Sequence, residues 1–503
     1  MARIQLHLPM APGSSHRGPG NPALDHPLRR DNVRLFSRGR RARTEKAPID
    51  GESEAEFPAV PVELRIAGEL FSAVLRHTTD HTRGEEAGFI LCSESRGEGR
   101  NVLLARRWLP VPEEEIIRHG GRFVLEWTAA FNTKAIEIAL EMGCSLVLVH
   151  YHGGPAPELS GDDRRSANEL FPSASRLLDR RLSGTVVLGD SSGSGSFWRD
   201  GRRAGELDRL RIVSDHLEDH FVRAEDGKPL LRERLNRQSL AIGSRSESIL
   251  SRSTVAVVGA SGGGSHVIQQ LLHQGVGTLV VVDEQIVDES NLGRLVGSEI
   301  GDIDKTPKTE VARRLAHRID PKSKVVAIQR AFPHPDAVAA LKTADILVAC
   351  VDTWRIREQL NEFCRRYHIP YVDIGINIET DNEQLNRADG QLIVVTPDAA
   401  CLRCLPILSD QVLAREREDR PPGYERNPDA TGDPQVVSMN GTLASEASNA
   451  VLDLLTGYSG GKRGPGWWQY DGRGGSFDKV DPPRTRRQGC PACAQLGHGD
   501  PLR

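Results

Sequence analysis

Two Cys-x-x-Cys pairs lie far apart in this chain, Cys401 with Cys404 and Cys490 with Cys493. Four thiolates form a closed tetrahedral set around zinc, which leaves no position for a reacting water. A zinc ion held in this way is a structural staple rather than a catalyst. The pairs therefore predict a structural zinc that braces one domain.

The composition predicts a multidomain protein of a reducing compartment. A length of 503 residues suggests roughly two to four domains, and a net charge of -4 gives no reason to expect nucleic acid as a partner. No apolar run is long enough for a membrane span, and the first ten residues lack the pattern of a secretory signal. We expect no membrane partner, a cytoplasmic location and four buried free thiols, which are Cys92, Cys144, Cys350 and Cys364.

The predicted elements give an α/β multidomain chain with four parts. Residues 1–57 are rich in Arg, Pro and Gly and are expected to form a disordered tail. Residues 58–204 show an α+β pattern, in which 191–196 are expected to form a flexible loop. Residues 205–230 are expected to be a linker, at the start of a charged stretch, 205–250, that is expected to be mostly helical. In residues 231–503 apolar strands alternate with helices, which predicts a Rossmann-like, mainly parallel sheet.

A second metal site is predicted where His150 and His152 end a strand. Side chains at i and i+2 share one face of a strand, so both imidazoles can bind one zinc. Asp163 is the expected third ligand, and the fourth position would hold a water whose pKa zinc lowers toward about 7. A carboxylate that does not bind the metal would act as the base. The alternative is a pair of strand histidines without a metal.

The sequence HYHGGPAPELSGDD, which begins at His150, has the spacing His-x-His, seven residues, Ser-x-x-Asp. This spacing resembles the JAMM motif of the JAB/MPN metalloprotease family. The family's upstream Glu-x-x-Gly is matched with Glu85 in register and Glu86 as its rival. The resemblance implies a catalytic zinc, a water activated by Glu85 and a tetrahedral intermediate steadied by Ser160. It also implies cleavage after the C-terminal glycine of ubiquitin-like proteins.

A nucleotide site is predicted where a strand, a glycine loop and a helix start follow one another at residues 254–265. Such a loop brings backbone N–H groups and a helix N-terminus against phosphate. Asp283 ends the next strand, where a carboxylate binds ribose hydroxyls. An NAD-dependent dehydrogenase would share these features, but Lys308 and nearby arginines suit a triphosphate better, with Asp352 available for magnesium.

This set resembles the ThiF/MoeB/ubiquitin-activating superfamily across roughly residues 230 to 495. The resemblance implies that Asp352 holds Mg²⁺ and that Arg237 reaches the ATP of a partner subunit in a homodimer. It assigns the two Cys-x-x-Cys pairs to the family's structural zinc. The ATP-binding residues that it implies are Gly259, Gly262, Gly263, Gly264, Asp283, Asn291, Arg294, Lys308, Asp352 and Arg357.

The implied reaction is attack by a C-terminal glycine carboxylate on ATP, which gives an acyl-adenylate and pyrophosphate. Many relatives carry a nucleophilic cysteine in the crossover segment, whereas residues 405–489 contain none. Residues 410–433 are rich in Arg, Asp, Glu and Pro and are expected to be mobile. The adenylate is therefore expected to pass to a thiol on a separate conjugating enzyme or sulfur donor.

The sequence as a whole predicts a bifunctional enzyme of a bacterial ubiquitin-like pathway, which cleaves after the terminal glycine of a ubiquitin-like protein and adenylates that glycine. The first alternative is the processing and adenylation of a sulfur-carrier protein in cofactor biosynthesis. The second is a non-catalytic scaffold that binds a ubiquitin-like protein.

Overall fold

The computed structural model describes residues 60–79, 86–97, 99–118, 125–221, 232–382, 384–419, 434–481 and 485–501. The predicted tail at residues 1–57 and the predicted base Glu85 lie outside these ranges. Within them the chain forms two eight-stranded sheets and one two-stranded sheet. Among the described helices, none combines the length and apolar character that a membrane span requires.

The first large sheet is built from the N-terminal half of the chain. The elements of this half are β1 Val62–Ala67, α1 Gly68–Thr78, β2 Ala87–Gly97, β3 Arg100–Pro110, β4 Ile116–Arg118, β5 Leu125–Trp127, α2 Ala129–Glu141, β6 Ser145–Tyr151, α3 Gly161–Leu177, β7 Ser183–Leu188, β8 Gly193–Arg199, β9 Arg202–Val213 and β10 Leu217–Phe221.

The strand order of this sheet is β1-β3-β2-β6-β7-β8-β9-β10, and β1 pairs with β9 as well as with β3. Seven strands therefore close into a ring, and all seven contribute apolar side chains to one core cluster that includes Leu64, Val149 and Phe197. The opposite faces of β2 and β6 pack against α2 and α3 through a second cluster that includes Phe89 and Phe171. Both faces of β6 therefore pack against apolar side chains; this strand carries His150 and ends one residue before His152.

Two predictions for this half are wrong. Part of the flexible loop predicted at residues 191–196 belongs to β8, because its small residues pair with β7. The helical linker predicted at 205–230 contains most of β9 and all of β10. The charges of β9 suggested a solvated helix, but Arg209 and Arg211 are buried and form ion pairs with Asp219 and Asp345.

The second large sheet follows the predicted alternation of strands and helices. Its elements are α4 Asn236–Ile242, α5 Ser244–Arg252, β11 Thr254–Val258, α6 Gly262–Gln274, β12 Thr278–Val282, α7 Lys308–Ile319, β13 Lys324–Ile328, α8 Pro335–Leu341, β14 Ile346–Ala349, α9 Trp354–Arg366, β15 Tyr371–Asp381, β16 Gln384–Val395, α10 Asp410–Asp419, α11 Val437–Thr456, β17 Gly466–Asp471, β18 Ser476–Val480 and α12 Pro491–Ala494.

The order of this sheet is β13-β12-β11-β14-β15-β16-β17-β18. The strands from β13 to β15 are parallel, and the remaining three add antiparallel neighbours. The α/β architecture predicted for this half is thereby confirmed. The segment predicted to be mobile at 410–433 begins with a helix, α10, and its residues 420–433 lie outside the described ranges.

The two large sheets share a buried interface. Val102 and Leu104 of β3 belong to the same apolar cluster as Leu341 and Phe363 of the second sheet's helices. The imidazole Nε2 of His368 lies 2.9 Å from the carbonyl oxygen of Ala105. Because apolar side chains from both halves fill one core, the described parts of the chain pack as a continuous body.

Candidate functional site

The glycine loop between β11 and α6 has a conformation that only glycine permits at two positions. Gly259 has φ of 90°, and a Cβ there would lie 2.5 Å from the carbonyl oxygen of Cys350. A Cβ on Gly264 would lie 1.8 Å from the carbonyl oxygen of Gly259. Ser261 gives no side-chain cap to α6, so the first N–H groups of that helix are available to a phosphate.

Asp283 is tied to this loop. It follows β12, and its carboxylate accepts hydrogen bonds from the backbone N–H of Ala260 at 2.7 Å and of Gln285 at 2.9 Å. The carboxylate therefore lies at the carboxyl ends of the parallel strands, where open α/β sheets bind nucleotides. Each oxygen retains a lone pair that can accept a hydrogen bond from a ribose hydroxyl.

Lys308 is a buried cation beside the loop. Its side chain is almost completely inaccessible, and Nζ donates to Oε1 of Gln285 at 2.7 Å. Burial lowers the pKa of this amine, whereas the nearby carboxylates of Asp283, Asp288 and Asp352 oppose that effect. The structure therefore brings Asp283, Lys308 and Asp352 into one electrostatic neighbourhood.

Asn291 and Arg294 shape the wall above the glycine loop. Asn291 ends the 3-10 helix Glu289–Asn291 and forms a capping box with Asp288, in which each side chain accepts from the other residue's backbone N–H. Its Nδ2 also donates to Oδ2 of Asp288 at 2.8 Å. Nη1 of Arg294 donates to the carbonyl oxygen of Ser290 at 2.7 Å. A Cβ on Gly262 would be 3.5 Å from Cδ of Arg294, so this arginine lies against the loop. Asn291 is almost fully buried, and its amide is engaged within the protein.

Arg357 is placed differently from the other predicted ATP ligands. It is buried on α9, where its guanidinium forms an ion pair with Asp373 and donates to the carbonyl oxygens of Val351 at 2.7 Å and Ile374 at 3.2 Å. These contacts are with the protein itself and hold the turn that contains Asp352. We therefore assign Arg357 a supporting position behind the site, whereas Asp352 is exposed at its edge.

Arg237 lies away from the glycine loop of its own chain. It is exposed on α4, and its neighbour Gln238 donates through Nε2 to the carbonyl oxygen of Gln274, the last residue of α6. Since α6 begins at the glycine loop and is 13 residues long, this contact is about 20 Å from the loop. Arg237 is therefore remote from the glycine loop of its own chain.

His150, His152 and Asp163 converge as the sequence predicts. The Nε2 atoms of the two histidines are 3.1 Å apart, and they lie 3.3 and 3.5 Å from the two carboxylate oxygens of Asp163. Zinc bonds of about 2.0–2.1 Å at tetrahedral angles require ligand atoms about 3.3–3.4 Å apart. Nδ1 of His152 lies 3.1 Å from the carbonyl oxygen of Glu158, a partner that fixes the ring orientation. The three side chains thus fit a zinc ion.

Ser160 orients the carboxylate ligand. It is the N-cap of α3, its Oγ accepts from the backbone N–H of Asp163 at 3.1 Å, and its own N–H donates to Oδ2 of Asp163 at 2.7 Å. Burial opposes ionisation of Asp163, but hydrogen bonds from His150 and Ser160 outweigh it and hold the pKa of this carboxyl well below its usual range. The aspartate is therefore presented as a carboxylate.

Glu86, the rival for the base, lies on the other side of β2. Ala87 is the cross-strand partner of His150, so Glu86 projects from the opposite face. Its Oε2 is 3.7 Å from Nε2 of His77. These two residues line a cavity of about 450 Å³ together with Arg76 and Glu113. The structure therefore places the Glu86 carboxylate against His77, away from the histidine pair.

The four cysteines of the two Cys-x-x-Cys pairs also converge. The measured Sγ–Sγ distances are 3.8 Å within the first pair and 3.6–3.7 Å between the pairs. Zinc–sulfur bonds of about 2.3 Å at tetrahedral angles require about 3.8 Å. Arg487 donates its backbone N–H to Cys404 Sγ at 3.2 Å. The cluster fits a structural zinc, and it brings α12 beside the segment that follows β16.

Three polar residues of the site were missed at the sequence level. Gln285 holds Lys308, Asn440 of α11 lies against Gly262, and Glu416 of α10 contacts the start of α9. Gln285 follows Asp283 by two positions, which is the one available signal. Asn440 and Glu416 come from distant helices and give no local pattern.

A glycine loop at the carboxyl edge of a parallel sheet, a carboxylate bonded to that loop and a buried lysine beside it are the features of a nucleotide-binding α/β protein. The chain belongs to the ThiF family, whose model matches residues 235–492. It is 34% identical over 164 residues to the SAMP-activating enzyme E1 of Haloferax volcanii, with 33% of this chain and 57% of that protein covered.

The chain is also 27% identical over 255 residues to the sulfur carrier protein ThiS adenylyltransferase of Escherichia coli, with 50% of this chain and 89% of that protein covered. Among solved structures, E. coli MccB with ATP aligns with a TM-score of 0.43 and 18% identity, over 52% of this chain and 75% of that chain. The family match begins at residue 235, so the histidine pair lies outside it.

Proposed function

We propose that the second half of the chain catalyses ATP-dependent adenylation of the C-terminal glycine of a small protein. The observation that carries this proposal is the neighbourhood of the glycine loop, the Asp283 carboxylate and the buried Lys308 amine. Membership in the ThiF family supports it, as do the names of the two relatives. The glycine loop binds phosphate and Asp283 binds the ribose. Lys308 neutralises the negative charge that develops on the phosphates.

The reaction is a substitution at the α-phosphorus of ATP. A carboxylate oxygen of the glycine forms a bond to this phosphorus, and the bond to the oxygen bridging the α and β phosphorus atoms breaks, so that pyrophosphate leaves. Arg294 and Lys308 neutralise the leaving charge, and Asp352 would hold the Mg²⁺ that screens it. Arg237 of a second subunit would complete the site, which requires a homodimer.

For the small protein, we propose a sulfur carrier first and a ubiquitin-like modifier second. The match to the ThiS adenylyltransferase spans most of that protein, whereas the match to the SAMP-activating enzyme spans just over half. Residues 405–489 contain no cysteine, so the crossover segment cannot form a thioester of its own. We therefore propose that the acyl group passes to an external thiol, on a sulfur donor or on a conjugating enzyme.

ATP–pyrophosphate exchange with small proteins that end in glycine tests this proposal. In the presence of one of these small proteins, wild type should exchange label between pyrophosphate and ATP. Asp352→Asn should lower the rate of exchange by at least about tenfold. Asp336→Asn, on the exposed start of α8, is the matched control and should behave as wild type. Exchange would exclude a non-catalytic scaffold. Equal exchange by Asp352→Asn and wild type would contradict the assigned site.

For the N-terminal half, we propose a zinc-dependent peptidase of the JAB/MPN type. The observation that favours it is the spacing of the ligand atoms of His150, His152 and Asp163, 3.1–3.5 Å, which is close to the edge of a zinc tetrahedron. Zinc, when bound, would polarise a peptide carbonyl and supply hydroxide at neutral pH. Glu85 would accept the proton of the attacking water and return it to the amine, and Ser160 would stabilise the intermediate.

The peptidase proposal is tested with a small protein extended beyond its terminal glycine. Glu85→Gln should abolish cleavage while zinc content, measured by atomic absorption, stays at the wild-type level, because this residue is not a ligand. Glu86→Gln is the matched control and should retain cleavage, since its carboxylate faces His77. Cleavage that survives both Glu85→Gln and removal of zinc by a chelator would refute the assignment.

A further inference from the structure

The N-terminus of α9 is capped by a residue from another helix. Thr353 is the N-cap residue, yet its side chain makes no capping bond, and its buried Oγ1 has no hydrogen-bond partner among the described residues. The carboxylate of Glu416 takes its place. Oε1 accepts from the backbone N–H of Trp354 at 2.6 Å, and Oε2 accepts from that of Arg355 at 2.9 Å. One carboxylate thus satisfies the first two donors of the helix.

Glu416 belongs to α10, which is fastened to the body of the protein. Leu413 of α10 is buried in the core beside α9. Arg403, which lies between the first two cysteines of the thiolate cluster, forms ion pairs with Glu358 of α9 at 2.9 Å and Asp410 of α10 at 2.8 Å. The position of Glu416 is therefore set by the packing of α10 on α9.

The cap lies next to the proposed magnesium ligand. Trp354, whose N–H Glu416 receives, is two residues after Asp352, and Arg357 holds the other side of the same turn through the carbonyl oxygen of Val351. The turn is thus fixed at both ends, once from α10 and once from within α9. A shift of the Glu416 carboxylate would free the first turn of α9 and, with it, the orientation of Asp352.

We propose that Glu416 is a positioning residue for adenylation, which holds Asp352 in place for metal–nucleotide binding through the N-terminus of α9. The inference rests on the proposed ATP-dependent function. It further assigns the Thr353 hydroxyl as a reserve cap, which is idle while Glu416 is bound and becomes engaged when Glu416 is absent. Asp352 would therefore be oriented for metal binding when α10 is packed on α9.

The test measures binding of Mn²⁺, as a probe for Mg²⁺, by electron paramagnetic resonance on the full chain, with the protein in excess over ATP so that no free ATP binds the metal. Loss of a helix N-cap costs about 1 kcal/mol, so Glu416→Ala should weaken Mn²⁺ binding by up to about fivefold. Metal-free ATP binding should be unchanged. Glu416→Gln retains an accepting oxygen and should restore much of the affinity. Glu418→Ala, on the exposed face of the same helix, is the matched control.

A double-mutant cycle tests the reserve cap. Thr353→Val should have little effect alone, because the hydroxyl is idle, but should weaken Mn²⁺ binding further in the Glu416→Ala background. Additive effects would overturn the reserve role. Glu416→Ala binding that equals wild type, or an equal loss of metal-free ATP binding, would overturn the positioning role. Wild type that binds no Mn²⁺ with ATP would instead refute the proposed function itself.

Discussion

Replacement of Arg211 by methionine should destabilise the whole chain, because this arginine is the centre of a buried ion-pair network between the two sheets. Its side chain is 2% exposed. Nε and Nη2 donate to the two oxygens of Asp219 at 2.7 and 3.0 Å, and Nη1 donates to Asp345. Asp345 in turn accepts the backbone N–H of Thr254, the first residue of β11. The network therefore connects β9 to the start of β11.

The size of the effect follows from what methionine leaves behind. Removing one partner of a buried ion pair costs about 3–5 kcal/mol, because the remaining charge is desolvated. Arg209 still contacts both Asp219 at 2.6 Å and Asp345 at 3.3 Å, which places the expected loss near the lower end, about 3 kcal/mol. For a chain of this size that unfolds cooperatively, this corresponds to a Tm lower by about 3 °C.

Scanning calorimetry and urea denaturation of the full chain measure this change. Arg203→Met is the matched control, since Arg203 lies on the same strand, is 52% exposed and pairs with Glu206 at the surface. An exposed pair contributes about 0–1 kcal/mol. If Arg211→Met and Arg203→Met were equally stable, the buried network would contribute no more than a surface pair, and the reasoning would fail.

Three further predictions concern the interface and the two proposed ligand sites. Burial lowers the pKa of His368 to about 4. The stability that this neutral imidazole contributes is therefore complete above its unfolded pKa of 6.5 and is lost as the pH falls toward 4. His368→Asn should flatten that part of the curve of stability against pH, measured by urea titration. Gly264→Ala should abolish ATP binding measured by calorimetry, because the added Cβ meets the Gly259 carbonyl oxygen at 1.8 Å. Cys490→Ser should release the structural zinc to a chromogenic chelator and lower Tm, whereas Cys144→Ser, outside the cluster, should keep the metal.

The second half could be predicted closely because its signals are local. The residues of β11, α6 and β12 follow an alternation of apolar strand, glycine loop and helix that fixes their bounds, and the observed β11, Thr254–Val258, coincides with the predicted one. The ligand pairs of the histidine–aspartate cluster and of the four-cysteine cluster could also be predicted from the sequence, because His-x-His and Cys-x-x-Cys each place two ligands on one short element. Local spacing gives each pair, whereas the meeting of the two cysteine pairs, with 85 residues between them, is expected from the family resemblance.

The features that could not be predicted depend on partners far along the chain. The charges of β9 favour a solvated helix unless Asp345 is known to lie opposite them. Arginine is a residue type that commonly binds phosphate, but the guanidinium of Arg357 pairs with Asp373 and donates to two carbonyl oxygens. The cap that Glu416 provides from 61 residues away leaves no trace in the sequence around α9.

The shared core between the sheets has a consequence for how such a chain can change over evolutionary time. Val102 and Leu104 of the first half complete the packing around Leu341 and Phe363 of the second. A gene split between the halves would leave an exposed apolar surface on each product. It would also leave the Asp345 carboxylate without its guanidinium partners. Once established, the union of the two halves is therefore hard to reverse, and both are expected to be inherited, lost or duplicated together.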